Sequence, residues 1–131
     1  MNENAPEQTK KMKSIREGIF LDTPLIYIAG KVSGLHYSEV VEKFNKRAEE
    51  LTAKGYAVFN PCEHVDESCT WEEAMRICMA HLPYCDFIDL LPDWQASKGA
   101  TFERECALKM GIPIFKEEPE NRVAEMMKTD F

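Results

Sequence analysis

The chain has 131 residues, of which 44% are hydrophobic and 30% are charged, as is typical of one soluble globular domain. Its formal net charge of −7 argues against binding to nucleic-acid polymers, which needs clustered lysine and arginine side chains. No apolar run approaches the roughly 18 residues that a membrane span needs, and the polar first residues lack the apolar core of a signal peptide. We therefore expect a cytoplasmic protein that does not contact membranes.

The five cysteines are odd in number and include no C-x-x-C pair, which favours reduced thiols in a cytosolic protein. Cys62, His64 and Cys69 are conceivable metal ligands, but their spacing matches no common zinc site. We interpret these three residues as ordinary loop and core residues, and we expect neither a metal ion nor another cofactor.

Polar residues 1–23 predict a tail or a short peripheral helix, residues 24–116 a folded domain, and residues 117–131 an acidic tail with one more helix at 120–128. Four short apolar runs within the domain predict strands, at 25–29, 56–59, 87–91 and 112–115. Start and stop signals predict three helices between them, from an N-cap at Ser38 to Gly55, from a capping box at Thr70 to Pro83, and from Ala100 to Gly111.

This strict alternation of strands and helices predicts an α/β fold with a mostly parallel sheet covered by helices on both faces. Ligands bind such sheets at the carboxyl ends of the strands. Loops 30–37, 60–70 and 92–99 are therefore the candidate ligand-binding loops. Asp86 and Asp89 are less suitable as ligand contacts. Asp86 lies at the start of the third strand, and Asp89 lies in its middle, where a buried carboxylate would need partners.

Ser97, Lys98 and Gly99 lie where the last long helix is predicted to begin. Unpaired N–H groups, the helix dipole and a glycine that allows close approach together predict an anion-binding site suited to a phosphate. The alternative is that Ser97 only caps the helix and Gly99 only eases the turn.

Glu103 lies one turn into the same helix, and its side chain should lean back toward the strand ends. A carboxylate beside a phosphate site is chemically sensible if it attacks an anomeric carbon of the ligand, as in retaining glycosidases. The alternative is a solvated surface residue paired with Lys98 or Arg104.

Tyr27, near the end of the first strand, could hold a carboxylate in place by a hydrogen bond. The alternative interpretation is that Tyr27 is an aromatic residue of the core. The turn from Gly30 to Gly34, with Lys31 and Ser33, could fold over a small ligand, or be an ordinary tight turn. Its G-x-x-x-G spacing does not match the dinucleotide-binding fingerprint.

Three further residues are candidates for contacts to a base or a sugar. Asn60 ends the second strand, although Asn-Pro is also an ordinary turn signal. Asp93 and Trp94 lie in loop 92–99, where Trp94 is either a stacking platform or a hydrophobic plug against the helices.

Taken together, the segments Ile26–Gly30, Cys85–Ile88 and Ser97-x-Gly99-x-x-x-Glu103 resemble the nucleoside 2-deoxyribosyltransferase superfamily. The most similar branch comprises bacterial and phage domains with the motif Asp-Trp-x-x-Ser-x-Gly-Ala-x-x-Glu, which is Asp93 to Glu103 in this chain. The resemblance extends over roughly 25–115.

The resemblance implies a flavodoxin-like, doubly wound sheet of four to five strands, and cleavage or transfer at an N-glycosidic bond. Glu103 matches the nucleophile, Tyr27 the tyrosine that positions it, and Ser97 and Gly99 the phosphate-binding positions of the nucleotide hydrolase branch. Transferases that use unphosphorylated nucleosides carry Asp in place of Ser97, which would repel a phosphate, so we expect a nucleoside 5′-monophosphate as the ligand. Because a neighbouring subunit often completes the site in this superfamily, we also expect a homo-oligomer.

Cys78 occupies the position where the family commonly has an acidic residue near the base. A thiol replaces a carboxylic acid poorly at neutral pH, so either Asp93 or a residue of loop 60–70 protonates the leaving base, or catalysis is weak or absent. The second hypothesis is accordingly a module that binds or senses a nucleotide without cleaving it. A third, structural role would dock the tail, with Val123, Met126 and Met127, on a second subunit.

Overall fold

A computed structural model of the chain describes residues 23–117. The predicted N-terminal tail, apart from its last residue, and the predicted helix at 120–128 lie outside the described residues. None of the helices between residues 23 and 117 has both the length and the apolar character needed to cross a membrane.

Three strands form a parallel sheet in the order β2-β1-β3. They are β1 (Leu25–Ala29), β2 (Ala57–Phe59) and β3 (Phe87–Leu90). All five residues of the central strand β1 are buried, which is why its sequence is apolar at every position rather than at alternate ones. The predicted parallel α/β fold is thereby confirmed at this level.

The helices are α1 (Tyr37–Ala53), α2 (Trp71–His81) and α3 (Lys98–Lys109). The capping box predicted for α2 is confirmed, because the Thr70 hydroxyl accepts from the Glu73 amide and the Glu73 carboxylate accepts from the Thr70 amide. The N-cap predicted at Ser38 is wrong: α1 is capped at His36, whose backbone is extended and whose side chain makes no capping bond.

Successive residues of β1 face opposite sides of the sheet, so each side has its own core. Ile26 and Ile28 pack with the buried face of α1, which is formed by Val40, Phe44, Ala48 and Leu51. Leu25, Tyr27 and Ala29 pack on the other side with residues of α2 and α3 that include Cys78, Ala100 and Ala107. Tyr27 therefore points toward the layer that contains α3.

The fourth predicted strand, at 112–115, is reduced to an isolated bridge between Ile114 and Ile88. The amide of Ile88 donates to the carbonyl of Pro113 at 3.0 Å, and the amide of Phe115 donates to Ile88 at 2.7 Å. Pro113 has no N–H to extend the ladder. Within residues 23–117 the sheet thus has three strands rather than the four to five predicted.

Asp89 has the partners that a buried mid-strand aspartate was expected to need. Arg47 of α1 donates to both of its carboxylate oxygens, from Nε at 2.7 Å and from an NH group at 3.0 Å. Arg47 also pairs with Glu117 at 2.7 Å, so one guanidinium joins α1, β3 and the end of the described chain. This cluster is structural, and it lies on the α1 side of the sheet.

Candidate functional site

Glu103 and Tyr27 meet in the interior of the protein. Glu103 lies in the second turn of α3 and is only 5% exposed, and Tyr27 in β1 is completely buried. The Tyr27 hydroxyl donates a hydrogen bond to Oε2 of Glu103. Glu103 is therefore not the solvated surface residue of the alternative interpretation, and Tyr27 is a core aromatic whose polar end reaches a carboxylate.

Burial dominates the titration of Glu103. It raises the pKa of this carboxyl group to about 7, although hydrogen bonds from Tyr27 and Cys78 act in the opposite direction. The pKa of Tyr27 is also raised well above its usual value, first by burial and then by the charge of Glu103. The phenol thus remains a hydrogen-bond donor while the carboxyl group beside it can exist in both protonation states near neutral pH.

Cys78 of α2 is the third member of this cluster. Its thiol is buried and lies within hydrogen-bonding reach of both Tyr27 and Glu103. Burial, followed by the charge of Glu103, raises the pKa of the Cys78 thiol to about 12. At neutral pH the group is a neutral thiol, which supports Glu103 with a weak hydrogen bond and is a poor acid.

A cavity of about 460 Å³ opens above this cluster. Its lining includes Gly30 after β1, Pro61 after β2 and Ser97 after β3, so it lies at the carboxyl ends of all three strands. The predicted site residues that line it are Gly30, Lys31, Ser33, Ser97, Lys98, Gly99 and Glu103. The structure therefore gathers most of the sequence-derived candidates into one concavity.

The first turn of α3 forms one wall of this cavity. The Ser97 hydroxyl accepts from the Ala100 amide at 3.0 Å, which confirms its capping role. The amides of Lys98 and Gly99 have no acceptor among residues 23–117, and the first turn contains no acidic residue. Two free N–H groups, the helix dipole and the Lys98 ammonium thus favour an anion here.

Gly30 and Gly99, the two glycines of the cavity lining, differ in whether a side chain would fit at their position. A Cβ at Gly30 would lie 2.6 Å from Cδ1 and 2.9 Å from Cβ of Leu91, so close packing against Leu91 requires this glycine. A Cβ at Gly99 would lie at ordinary contact distances, 3.4 Å from Met75 Sδ and 3.5 Å from Trp71 Nε1. A side chain at Gly99 would fit, but it would occupy cavity space beside the free amides.

Asn60 and Trp94, the predicted base or sugar contacts, have partners within the protein. Asn60 donates to Asn45 at 2.8 Å and accepts from the Cys62 amide at 3.1 Å, so it caps the short helical turn that follows β2. Trp94 packs against the core, and the Arg104 guanidinium lies 5.0 Å from its ring centroid. Neither residue is part of the cavity lining.

Asp93, the third predicted base or sugar contact, also lies outside the lining and has partners within the protein. It accepts from the Lys31 amide at 3.0 Å and from the Lys43 ammonium at 2.6 Å. Lys43 further donates to the Lys31 carbonyl at 2.6 Å. Asp93 thus fastens the turn after β1 to the loop after β3. Gly34, at φ +85°, shapes that same turn without lining the cavity.

Several lining residues were not among the predicted site residues: Tyr37, Asp66, Glu67, Trp71 and Met75. Asp66 and Glu67 belong to loop 60–70, which the strand-end rule had indicated as a whole. Trp71 and Met75 are one turn apart at the start of α2, so the capping box at Thr70 marked where they would lie. Among residues 23–117, no three histidine, cysteine, aspartate or glutamate side chains are grouped to hold a metal ion.

The fold and the site define a parallel α/β domain with a buried carboxyl group at the floor of a strand-end cavity. The family model DUF4406, a domain of unknown function, matches residues 24–116, and the chain belongs to this family. No curated protein and no solved structure matches the chain significantly.

Proposed function

We propose that this protein cleaves or transfers the N-glycosidic bond of a (deoxy)nucleoside 5′-monophosphate, with Glu103 as nucleophile. The observation that carries this proposal is the hydrogen bond from Tyr27 to Glu103 at the floor of a cavity, one wall of which is the first turn of α3. Unlike the buried Asp89, Glu103 has no cationic partner among residues 23–117, its pKa is raised to about 7, and it faces a space large enough for a small ligand.

The strand order supports the flavodoxin-like fold that the sequence resemblance implies. The order β2-β1-β3 agrees with the first three strands of the order 2-1-3-4-5 of that class, and the bridge from Ile114 to Ile88 lies where a fourth strand would pair. In such sheets the ligand lies where the connections diverge, at the carboxyl end of β1, and Gly30 directly follows this end.

The phosphate would bind at the start of α3. Ser97, the free amides of Lys98 and Gly99, and the Lys98 side chain offer only neutral or positive groups to it. The sugar would then extend over Glu103, so that its anomeric carbon faces the carboxylate.

In the proposed reaction, an oxygen of the ionised Glu103 forms a bond to C1′ while the C1′–N bond breaks and its electron pair leaves with the base. Tyr27 positions the carboxylate and stabilises its charged form. Water, or a second base, then attacks C1′ and releases Glu103. Because the pKa of Glu103 is about 7, a substantial ionised fraction exists at neutral pH.

The test is incubation with the deoxynucleoside 5′-monophosphates and the matching nucleosides, with free base measured by chromatography. We expect base release from at least one monophosphate, weaker release from its nucleoside, and loss of release in Glu103→Gln. Glu105→Gln, an exposed residue of α3 paired with Lys109, is the matched control and should retain activity. Release that persists in Glu103→Gln would refute the proposal.

A second function, nucleotide binding without cleavage, is favoured by the neutral thiol of Cys78 in place of the acidic residue. This function predicts that a monophosphate raises the melting temperature without any base release. Ligand at about 100 times its Kd should stabilise the fold by about 2.7 kcal/mol. Base release that depends on Glu103 would exclude this function, and a melting temperature unchanged by every saturating nucleotide would count against it.

We also propose a homo-oligomer in the cytoplasm, as the resemblance and the composition imply. The measurement is light scattering of the purified full chain at micromolar concentration. A monomer across that range would contradict the oligomer.

A further inference from the structure

Trp71, the first residue of α2, lies beside the groups proposed to bind phosphate at the start of α3, and this inference rests on that proposed function. The Thr70 capping box places Trp71 in the first turn of α2. Residues four and seven positions later in a helix share a face with the first, so Trp71, Met75 and Cys78 form one stripe of α2. All three residues of this stripe line the cavity.

Two contacts fix how the stripe lies against α3. Near the starts of the two helices, the position that a Cβ of Gly99 would occupy is 3.5 Å from Trp71 Nε1. Farther along both helices, the Cys78 thiol reaches the carboxyl group of Glu103. The two helices therefore pass each other in the same general direction, and Trp71 lies at the same end of the cavity as the free amides of α3.

The indole N–H of Trp71 is a hydrogen-bond donor without an acceptor among residues 23–117. It is not enclosed either, because Arg104 Nε is the one buried side-chain nitrogen or oxygen in that part of the chain that lacks a partner. Cα–Cβ bonds in a helix tilt toward its N-terminus, so the Cβ position of Gly99 lies on the side toward which the free amides of α3 point. Ser97 Oγ is 3.9 Å from this position. A phosphate oxygen bound to those amides would therefore have the indole N–H beside it.

The ring of Trp71 also contacts a cation of the cavity lining. The Lys98 ammonium lies over this ring, 4.2 Å from its centroid, and the Lys98 side chain has no hydrogen-bond or ion-pair partner within residues 23–117. The other lysine of the lining, Lys31, donates to the Ala96 carbonyl at 3.4 Å. Because the cation–π contact restrains a flexible side chain before a ligand arrives, it lowers the entropic cost of pairing Lys98 with an anion.

We propose that Trp71 is a phosphate-binding residue of this site. Its indole N–H donates a hydrogen bond to a phosphate oxygen of the nucleotide, and its ring positions the Lys98 ammonium to pair with the same phosphate. The chain as a whole has a net charge of −7, so attraction of a phosphate depends on such local donors. Trp71 thereby contributes to selectivity for a nucleoside monophosphate over the unphosphorylated nucleoside.

The first experiment is a nitrogen-15 NMR titration of the tryptophan indole groups. The chain contains two tryptophans, so two indole signals are expected, and Trp71→Phe assigns them. The Glu103→Gln protein is titrated with the four deoxynucleoside 5′-monophosphates so that no ligand is cleaved, and calorimetry verifies saturation. We expect the Trp71 signal to shift with a monophosphate and with inorganic phosphate, but much less with the matching nucleoside. The Trp94 signal, from outside the cavity lining, is the internal control and should stay in place.

Two substitutions in the same Glu103→Gln background separate the N–H from the ring. Trp71→Phe keeps an aromatic face for Lys98 but removes the donor, and we expect affinity for the monophosphate to fall about tenfold, because hydrogen bonds to charged groups are strong. Trp71→Leu also removes the face and should weaken binding by about a further two- to fivefold. This further loss should vanish when Lys98→Met is present. Trp94→Phe is the matched control and should leave the affinity unchanged.

The outcomes for Trp71 and for the proposed cleavage are separable. A Trp71 signal that stays in place at saturating monophosphate, or that moves as far with the nucleoside, would overturn the phosphate-binding role even if the wild-type protein releases base through Glu103. A shift that follows the monophosphate in a protein that releases no base would support this role and count against cleavage. If none of the four monophosphates binds, the role of Trp71 and the proposed phosphate site both fail.

Discussion

The hydroxyl of Tyr27, in the central strand, donates to the carboxyl group of Glu103, 76 residues later in the chain. Both residues are largely shielded from bulk water, because Tyr27 is fully buried and Glu103 is 5% exposed. The pair thus combines a carboxyl group of raised pKa with a fixed donor that favours its charged form. This combination is the physical basis of the nucleophile proposed for this protein.

Tyr27→Phe should raise the pKa of Glu103 further above about 7, because the variant removes a hydrogen bond to the charged form and leaves the burial unchanged. The measurement is a carbon-13 NMR titration of the glutamate carboxyl groups, with Glu103→Gln to assign the signal. Tyr56→Phe, which alters a ring packed edge-on against Phe115, is the control. A pKa that falls in Tyr27→Phe would contradict this account of the pair.

The stability of the fold should fall as the pH rises through neutrality. The pKa of Glu103 is about 7 in the folded protein and 4.5 in the unfolded chain, so folding favours the protonated form. Its contribution is fully present below pH 4.5 and is lost as the pH rises through about 7, in total about 3 kcal/mol. Urea denaturation between pH 4.5 and 8 should show this loss in the wild type but not in Glu103→Gln. Parallel pH profiles for the two proteins would argue against a raised pKa.

Ser97→Asp should weaken monophosphate binding while it preserves the fold. Aspartate caps a helix as well as serine does, but its charge would lie beside the phosphate, and like charges near a protein surface repel by a few kcal/mol. We expect affinity for the monophosphate to fall at least about tenfold by calorimetry, with affinity for the nucleoside little changed. Ser97→Asn, an uncharged cap, is the control. Equal losses for both ligands would mean that no phosphate binds at this helix start.

Gly30→Ala should destabilise the fold by about 1–3 kcal/mol, because the new methyl group would overlap the side chain of Leu91. Denaturant unfolding measures this cost, and Leu91→Ala supplies the partner for a double-mutant cycle. We expect Gly30→Ala to cost much less in the Leu91→Ala background, since the clash is then removed. Additive effects of the two substitutions would show that Leu91 is not the obstacle.

The central strand and the flanking helices could be predicted because local signals agree with the tertiary structure. The five apolar residues of β1 indicate burial on both faces, and the Thr70 capping box fixes the start of α2 within one turn. The segment 112–115 looks equally like a strand. In the structure it forms only one bridge to β3, because Pro113 has no N–H to extend the ladder. The apolar pattern predicts neither the bridging residue nor this missing hydrogen bond.

The Tyr27–Glu103 pair was predictable because Tyr27 lies in a buried strand and Glu103 leans back along a helix toward the carboxyl ends of the strands. Asn60 and Asp93 were harder, since their partners, Asn45 and Lys43, lie 15 and 50 residues away in α1. A polar residue at a strand end looks the same in the sequence whether it contacts a ligand or a neighbouring helix. Only the packing of α1 against the sheet distinguishes the two.

In the proposed reaction, Glu103 becomes covalently attached to the sugar. Mass spectrometry after incubation with a 2-deoxy-2-fluoroarabinosyl nucleotide would detect this attachment, because fluorine slows release of the glycosyl ester. We expect an added 2-deoxy-2-fluoroarabinosyl 5-phosphate group that maps to Glu103, is absent from Glu103→Gln and persists in Glu105→Gln. Base release without any adduct, or an adduct on another residue, would contradict it.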